Sequence, residues 1–324
     1  MAGPAVSPAD LGALAGALRT SPALRAKGGI ELVGEIFGAG SWVHGPGDDG
    51  AVADADADGT QVIACGEALL PAFVAADPYG AGLAAVLTNV NDLAAMGAIP
   101  LGIVDTIVAD DATARAALRG MHEGCRIYDV PLLGGHITRY DGAPALSAFG
   151  VGRARRVLSA THVAPGQAVI VACCIQGAMR SDFPFFASFT ERGDELGADV
   201  RVLAAVAESG SCVAAKDVSM AGLVGSLAML LEWSRTGVTL DLDAVPRPPD
   251  VAMDAWLACF PAFAFLLCAP PGRAGECLHA FTDRGLVAAV VGEIDDSGVL
   301  AIRQGARSAE VLDLRVTSVT GLRR

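Results

Sequence analysis

Segments with the two-residue period of a strand alternate with segments that have the 3.6-residue period of a helix. This alternation restricts the first half of the chain to a layered α/β fold. Strands are predicted over 60–65, 101–108, 130–135 and 145–154, and helices over 77–97 and 111–129. Asp77 and Pro78 are typical of a helix start, and Gly97 and Pro100 are typical of a helix end.

A run of charged residues and turn formers, RRVLSATHVAPGQ (155–167), interrupts this pattern. After it, strands are predicted over 168–174, 238–242, 263–269, 287–294 and 298–303, and helical segments near 199–208, 222–235 and 273–284. The sequence therefore predicts an N-terminal arm (1–44), a first α/β domain (45–158) and a second domain of mixed α and β structure (159–324).

Hydropathy and charge restrict the function classes. The longest apolar runs, such as FPAFAFLLCAPP (260–271), are shorter than the roughly 20 residues of a membrane span. The N-terminus lacks the basic region of a secretory signal, so we expect a cytoplasmic protein without membrane contacts. A net charge of −13 argues against nucleic-acid binding but allows phosphate ligands that metal cations bridge.

The eight cysteines contain no C-x-x-C pair and lie mostly in apolar surroundings. We expect buried free thiols, with Cys173 and Cys174 in the core at the end of a strand. Trp233 and Trp256 are expected to be packing residues, and Lys27 either an exposed lysine or part of an arm that covers a nucleotide.

Asp92 lies near the end of the predicted helix 77–97, where the partial negative charge of a helix C-terminus disfavours a carboxylate. One helix face carries the bulky apolar residues Leu83, Val86, Leu87, Val90 and Ala94. The opposite face carries Asp92 below Thr88, Ala81 and Ala85, and we expect room for a ligand along it. A bound divalent cation would explain Asp92, and a solvated aspartate on an exposed face is the alternative.

Two acidic turns precede this helix. GPGDDGAV (45–52) matches G-x-G-x-x-G, the motif of a dinucleotide-binding loop, but no strand precedes it. Asp48 and Asp49 also occupy the positions where a pyrophosphate would approach the backbone. A hard cation or a plain surface turn fits it better. DADADG (54–59) imitates half of an EF-hand loop, yet the twelfth position counted from Asp54 is Cys65, so we predict an acidic hairpin tip. Asp217 precedes a predicted helix for which Ser219 is a plausible N-cap.

Several of these motifs together resemble the superfamily of AIR synthetase, thiamine-monophosphate kinase, selenophosphate synthetase and the hydrogenase-maturation dehydratase. GDDGAV is similar to the superfamily's acidic G-D-D-A-A-V start, and NVNDLAAMGAIP to its N-L-S-D-L-A-A-M-G-A-x-P helix. VPLLGGHITR, APGQAVIVA and DVSMAGLVGSLAML resemble three later motifs, in family order over about 45–310.

The resemblance implies an AIR synthetase-like fold with an α/β N-terminal domain that dimerises through its sheet and an α+β C-terminal domain. It implies an enzyme that binds ATP through Mg²⁺ and acts on a small-molecule substrate. The metal ligands that it implies are Asp48, Asp49, Glu67, Asp92 and Asp217. The nucleotide contacts that it implies are Gly47, Asp48, Asp49, Asn89, Asn91, Asp92, Gly134, Gly135 and Arg139. The catalytic residues that it implies are Asp92, His136 and Asp217.

The sequence departs from the family pattern where chemistry is expected. The aspartate of the family's G-G-D-T strand is His136, and the second aspartate of D-x-S-D-G-L is Met220. His136 is either a phosphate or substrate contact or a structural histidine, and Arg139 is either a phosphate partner or a solvated residue. We expect an ATP-dependent enzyme of an AIR synthetase-related branch. The alternatives are a nucleotide-binding regulatory or complex-forming relative with little turnover and a structural dimer without nucleotide.

Overall fold

The computed structural model describes residues 8–38, 45 and 47–322, with the side chains of 8–10 left out. Parts of the predicted N-terminal arm (1–7 and 39–44) and Pro46 of the GPGDDGAV turn lie outside the described residues. The chain divides into two compact units. Residues 49–157 and 192–208 form the five-stranded unit; of the described residues, 8–38, 45, 47–48, 158–191 and 209–322 form the seven-stranded unit.

The strands are β1 Ala51–Ala55, β2 Gln61–Ala68, β3 Ile99–Ala109, β4 Leu132–Arg139, β5 Ala145–Ala154, β6 Ala168–Cys173, β7 Ala178–Met179, β8 Phe185–Ala187, β9 Ala214–Asp217, β10 Gly237–Asp241, β11 Phe260–Pro261, β12 Ala264–Ala269, β13 Val287–Asp295, β14 Val299–Gln304 and β15 Arg307–Asp313. The helices are α1 Pro8–Arg19, α2 Pro22–Ala26, α3 Glu31–Phe37, α4 Pro71–Ala76, α5 Pro78–Ala95, α6 Asp111–Tyr128, α7 Phe189–Arg192, α8 Glu195–Val200, α9 Val202–Ser209, α10 Gly222–Glu232, α11 Met253–Ala258 and α12 Ala274–Thr282. None of these helices is both long and apolar enough to span a bilayer.

The five-stranded unit is a sheet of order β1-β2-β5-β3-β4 with α5 and α6 on one face. The Asp77 carboxylate caps α5 by accepting from Gly80 N at 2.8 Å, as the sequence predicts. The two helices approach closely because glycines face backbone: a Cβ at Gly82 would overlap the carbonyl group of Ala117. This close packing lies in the first half of α5 and holds the helix against α6.

The other face of this sheet, which we term the bare face, carries the side chains that alternate with the inward ones on β2, β3, β4 and β5. Its residues include Val62, Ala64, Gly66, Ala68, Ile99, Val104, Thr106, Val108, Gly134, His136, Thr138, Ala145, Ser147, Phe149, Val151 and Arg153. None of these residues of β2–β5 is an aspartate or glutamate, whereas Asp54 of edge strand β1 pairs with Val62 and lies on the same face. Edge strand β4 is exposed at all eight residues, and Phe149 at the middle of the face is 45% exposed.

The seven-stranded unit has the strand order β15-β14-β10-β13-β6-β12-β9. All six residues of β12 and five of the six in β6 are buried, which explains why these segments read as continuous apolar runs. Trp256 packs edge-on against Phe186 in this core, as predicted for a packing residue. All eight cysteines are free thiols, and Cys173 and Cys174 are buried as expected.

The last described segment is tied to the end of α10. The buried Glu232 carboxylate accepts hydrogen bonds from Ser318 Oγ, Val319 N and both the backbone N–H and the hydroxyl of Thr320, at 2.7–2.9 Å. A carboxylate is stable out of water only when it is hydrogen-bonded in this way. Glu232 therefore anchors residues 318–320 to the seven-stranded unit.

Residues 192–208 belong to the five-stranded unit although they follow the predicted boundary near 158. Arg201 donates to the carbonyl oxygens of Tyr128 and Asp129 at the end of α6, at 3.0 and 2.8 Å. Arg126 of α6 forms an ion pair of 2.6 Å with Asp194. The contacts that hold residues 192–208 join residues far apart in the sequence. No local sequence pattern could therefore predict that this segment belongs to the five-stranded unit.

The predicted elements of both halves are present, with shifts of a few residues at their ends. The acidic hairpin tip is confirmed: it joins β1 to β2, with Gly59 at φ +83° and Asp58 Oδ1 accepting from Thr60 N at 2.9 Å. The segment predicted as a strand at 130–135 becomes β4 at Leu132–Arg139. The sequence did not predict β1, β7, β8, β9, β11 or β15 as strands.

Candidate functional site

The five-stranded unit brings two of the predicted metal ligands together. Asp49 precedes β1, and Asp92 lies in the last turn of α5. Their carboxylate oxygens lie within 4.8 Å of one another. Asp92 is only 7% exposed, which contradicts the alternative of a solvated aspartate on an open helix face.

Cys65 on β2 lies in the negative electrostatic field of this site. Its thiol donates to Asn89 Oδ1 and to the Asn89 carbonyl oxygen, at 3.3 and 3.4 Å. Burial raises the pKa of the Cys65 thiol first, and the negative charges of Asp92, Asp49 and Glu67 raise it further. The thiol is therefore neutral, and three carboxylates surround it at distances that matter electrostatically.

This arrangement fits a hard divalent cation. Two carboxylates this close repel each other unless a proton or a cation lies near them, and Mg²⁺ prefers carboxylate oxygens with water completing an octahedron. We infer the fit from the donor set and the spacing of Asp49 and Asp92, and Cys65, as a neutral thiol, adds no competing soft thiolate ligand.

The Asp48 side chain makes a different contact from that of its neighbour Asp49. Its Oδ1 accepts a hydrogen bond of 2.7 Å from the backbone N–H of Ala160, and it belongs to the seven-stranded unit. Gly47 before it has φ +88°, a conformation that favours glycine. The two adjacent aspartates thus have different surroundings, and the metal role of Asp48 stays a prediction.

The prediction that a ligand lies along the small-residue face of α5 is wrong. Ala81 and Ala85 are fully buried, and the Thr88 hydroxyl donates to the Ala84 carbonyl oxygen at 2.9 Å. Asn89 is also fully buried, and its amide donates to Ala85 O and Ala148 O. The small residues of α5 allow close packing against the sheet and leave no room for a ligand. A cofactor contact of Asn89 or of the buried Asn91 stays a prediction.

Asp217 is the last residue of β9 in the seven-stranded unit, paired with Phe265 of β12, and it is buried. The predicted N-cap is not formed at Ser219, because α10 begins at Gly222 after a turn in which Gly222 N donates to Ser219 O at 2.8 Å. Met220 in that turn is 41% exposed. The sequence analysis did not single out Lys216, which is buried beside Asp217. A lysine within an apolar strand segment was the sequence signal that could have identified it.

His136 and Arg139 lie on β4, away from the Asp49–Asp92 pair. His136 is exposed on the bare face, so the sheet separates it from Asp92 on the helix-covered side. Arg139 forms an exposed ion pair of 2.5 Å with Asp111. Gly135 is required because a Cβ there would overlap the carboxylate of Asp105, a buried residue that the sequence analysis did not single out. At Gly134 a Cβ would meet open space.

Comparison with known protein families agrees with this architecture. The AIR synthase related protein N-terminal domain matches residues 47–154, and the corresponding C-terminal domain matches residues 179–304. An uncharacterised protein of Synechocystis sp. is 33% identical over 278 residues, which cover 85% of this chain and 86% of the relative. This chain belongs to the AIR synthase related family.

Solved structures of related proteins share the fold. T. maritima PurL complexed with AMPPCP superposes with a TM-score of 0.76 at 19% identity, covering 93% of this chain and 50% of PurL. The chain thus spans about half the length of that protein. AaThiL complexed with AMPPCP and TMP has a TM-score of 0.64 at 16% identity, covering 87% of this chain and 96% of AaThiL. The AIR synthetase-like fold predicted from the sequence is confirmed.

Proposed function

We propose that this protein is a Mg²⁺-dependent ATP-binding enzyme that phosphorylates or activates a small-molecule substrate. The observation that carries the proposal is the Asp49–Asp92 pair, two carboxylates with oxygens within 4.8 Å at the end of α5. Family membership supports it, since PurL and AaThiL have been solved with nucleotides or their analogues bound.

In this proposal, Asp49 and Asp92 hold a magnesium ion. The resemblance adds Asp48, Glu67 and Asp217 as proposed ligands, and Gly47, Asn89, Asn91, Gly134, Gly135 and Arg139 as proposed nucleotide contacts. A bound magnesium ion would neutralise phosphate charge and orient the nucleotide. The residues of the chain would contribute positioning of the phosphates and of the attacking substrate group, which is most of the catalysis in phosphoryl transfer.

A second candidate is a nucleotide-binding relative with little turnover. Two observations favour it: the side chains at 136 and 220 are histidine and methionine, and His136 lies across the sheet from Asp92. Neither side chain is a hard oxygen ligand for magnesium. Both candidates bind MgATP, so only turnover separates them.

We also propose that the protein forms a homodimer through the bare face. In a chain of net charge −13, two copies repel each other, so a surface with few carboxylates is the more favourable place for a contact between them. The bare face has no aspartate or glutamate on β2, β3, β4 or β5 and exposes Phe149 among small and β-branched residues, while Asp54 lies at its margin on edge strand β1. A second copy would cover both this face and the unpaired edge of β4.

Isothermal titration calorimetry with ATP tests the central proposal. We expect saturable binding in excess Mg²⁺ and much weaker binding in EDTA. Asp92→Asn should weaken MgATP binding about tenfold or more, because the metal loses a ligand. Its fold should be unchanged or slightly more stable, because a negative charge leaves a helix C-terminus.

The matched control is Asp141→Asn, which removes one exposed carboxylate from a turn of the same unit and should leave MgATP affinity unchanged. Equal affinity in Asp92→Asn and in the unmodified protein would remove Asp92 from the metal site. Absence of ATP binding with and without Mg²⁺ would overturn the proposed function.

A further inference from the structure

Asn89 lies between α5 and the five-stranded sheet, less than one helical turn before Asp92, and it is fully buried. Its side-chain nitrogen donates to Ala85 O at 2.8 Å and to Ala148 O of β5 at 3.2 Å. Its Oδ1 accepts a hydrogen bond of 3.3 Å from the Cys65 thiol. An amide nitrogen has two hydrogens to donate, so the protein itself uses both of them. The Asn89 side chain therefore has no donor left for a nucleotide.

The Cys65 thiol of β2 contacts the same helical residue twice. It lies 3.3 Å from Asn89 Oδ1 and 3.4 Å from the Asn89 carbonyl oxygen. A thiol is a weak donor, but a buried polar group that loses its partner is costly, so the two residues satisfy each other. We term these contacts the Cys65–Asn89 link. The link attaches the second half of α5 to β2.

A glycine of β5 provides the space for this link. A Cβ at Gly150 would lie 2.8 Å from Cys65 Sγ and 3.2 Å from Asn89 Cβ. A glycine inside a strand often marks a place where another part of the chain approaches closely. An alanine at position 150 would push the thiol or the helix away from the sheet. The close packing at Gly150 is thus a second observation, separate from the hydrogen bonds, that holds this part of α5 in place.

The link joins the two parts of the chain that carry the proposed metal ligands. Asp92 follows Asn89 on α5, and Asp49 precedes β1, which pairs with β2 directly beside Cys65. Cys65 is therefore next to the strand that begins after Asp49, and Asn89 is next to the helical turn that carries Asp92. A change in the link would change the distance between the two carboxylates.

We propose that Asn89 and Cys65 are positioning residues that hold Asp49 and Asp92 at the spacing that a metal ion requires. This inference rests on the proposed function, because it assigns a role to residues behind the same metal site. Two nearby carboxylates repel each other, and a helix C-terminus disfavours Asp92, so the helix end needs support when no ion is bound. Metal ligands have to be held to within about 0.5 Å, and outer hydrogen-bond partners provide that support.

Binding of Mn²⁺ without nucleotide tests this role through metal affinity rather than through activity, because carboxylates bind Mn²⁺ as they bind Mg²⁺. Electron paramagnetic resonance of free Mn²⁺ gives the dissociation constant, and Asp92→Asn identifies the site. We expect Asn89→Leu and Cys65→Ala to weaken Mn²⁺ binding about tenfold or more, as loss of an outer partner of a metal ligand does. Cys65→Ser keeps a hydrogen-bond donor and should keep most of the affinity.

A double-mutant cycle separates positioning from a direct nucleotide contact. If Asn89 acts through Asp92, Asn89→Leu should weaken MgATP binding no further in a protein that already carries Asp92→Asn. A direct contact between Asn89 and the nucleotide would make the two losses add. Additive losses would overturn the positioning role of Asn89.

Two control variants separate positioning from general destabilisation. Ile127→Ala removes a buried side chain from α6 of the same unit and should lower thermal stability while leaving Mn²⁺ affinity unchanged. Gly150→Ala should weaken Mn²⁺ binding because the new Cβ displaces the link. Its matched control is Val151→Ala, the next residue of β5, whose side chain lies on the bare face, and this variant should bind Mn²⁺ normally.

The outcomes distinguish this inference from the proposed function. Equal Mn²⁺ affinity in Asn89→Leu, Cys65→Ala and the unmodified protein would overturn the inference and leave the metal site intact. A loss in Ile127→Ala as large as the loss in Asn89→Leu would also overturn it. Absence of Asp92-dependent Mn²⁺ binding in the unmodified protein would overturn the proposed metal site itself, and the positioning role with it.

Discussion

The two sheets of this protein differ in how they use their apolar residues. In the seven-stranded sheet, β12 is buried at all six positions. In the five-stranded sheet, α5 and α6 cover one face, and the bare face and the whole of β4 are exposed. A strand that is buried on both faces contributes mainly to stability. A sheet with one open face keeps residues available for a second copy or a ligand, and the five-stranded unit also holds the Asp49–Asp92 pair.

The first test asks whether the two departures from the family pattern, one in each unit, abolish thiamine-monophosphate kinase activity. His136 on the bare face and Met220 in the seven-stranded unit stand where the resemblance implies metal-binding aspartates. Loss of a cation that bridges the transferring phosphates should cost several kcal/mol of transition-state stabilisation. We therefore expect steady-state kinetics with thiamine monophosphate, ATP and Mg²⁺ to give turnover well below about 1 s⁻¹, the low end for ordinary enzymes. Faster turnover would show that these two substitutions do not matter.

The second test compares burial in the two sheets. Leu266→Ala in the middle of β12 should lower the free energy of unfolding by about 2–5 kcal/mol, because it leaves a cavity in a fully buried strand. Val108→Ala on the bare face should cost about 1 kcal/mol or less. Urea unfolding at a single low protein concentration measures both. Similar losses would mean that the bare face contributes as much to stability as β12 does.

The third test probes the bare face as an interface. Phe149→Asp places a charge at its centre, and the same charge on a second copy, so dimerisation should weaken at least tenfold. Light scattering coupled to size-exclusion chromatography measures the mass. Leu70→Asp, at the more exposed residue just before α4, should leave the dimer intact. A monomeric mass for the unmodified protein at micromolar concentration would contradict the dimer itself.

The smallest expected effect concerns pH. Burial raises the folded-state pKa of Asp105 above its ordinary value of 3.8. The carboxylate therefore opposes folding above that value and has no effect once both states are protonated at lower pH. Asp105→Asn should make the protein more stable at pH 7 and leave stability unchanged near pH 3, as thermal unfolding at the two pH values would show. A destabilised variant at pH 7 would mean that the carboxylate has a partner.

The sequence predicted the fold well because strands and helices have different hydrophobic periods and because α5 carries its own start and stop signals, Asp77, Pro78 and Gly97. It predicted Asp92 as a site residue because a carboxylate is out of place near a helix C-terminus. It could not distinguish Asp48 from Asp49, since the hydrogen bond from Ala160 to Asp48 joins residues more than 100 positions apart.

Long-range contacts explain the other misses as well. Ala81 and Ala85 look like an open face in a helical projection, but the same small size allows the close packing that buries them. Gly135 reads as a glycine for a ligand, whereas it makes room for the Asp105 side chain. A small residue in the sequence does not show whether a ligand or another part of the chain packs against it. This ambiguity is the main reason why a single sequence could not predict the rest of the site.

The anchoring of residues 318–320 by Glu232 has a consequence for synthesis on the ribosome. Every residue of the five-stranded unit has been translated once the chain reaches position 208, so that unit can form while elongation continues. The Glu232 carboxylate must wait for donors some 86 to 88 positions further along the chain. At a synthesis rate of about 5–20 residues per second, that interval is several seconds or more. During it the end of α10 carries a charge that cannot yet be buried, and the seven-stranded unit stays open to chaperones and proteases.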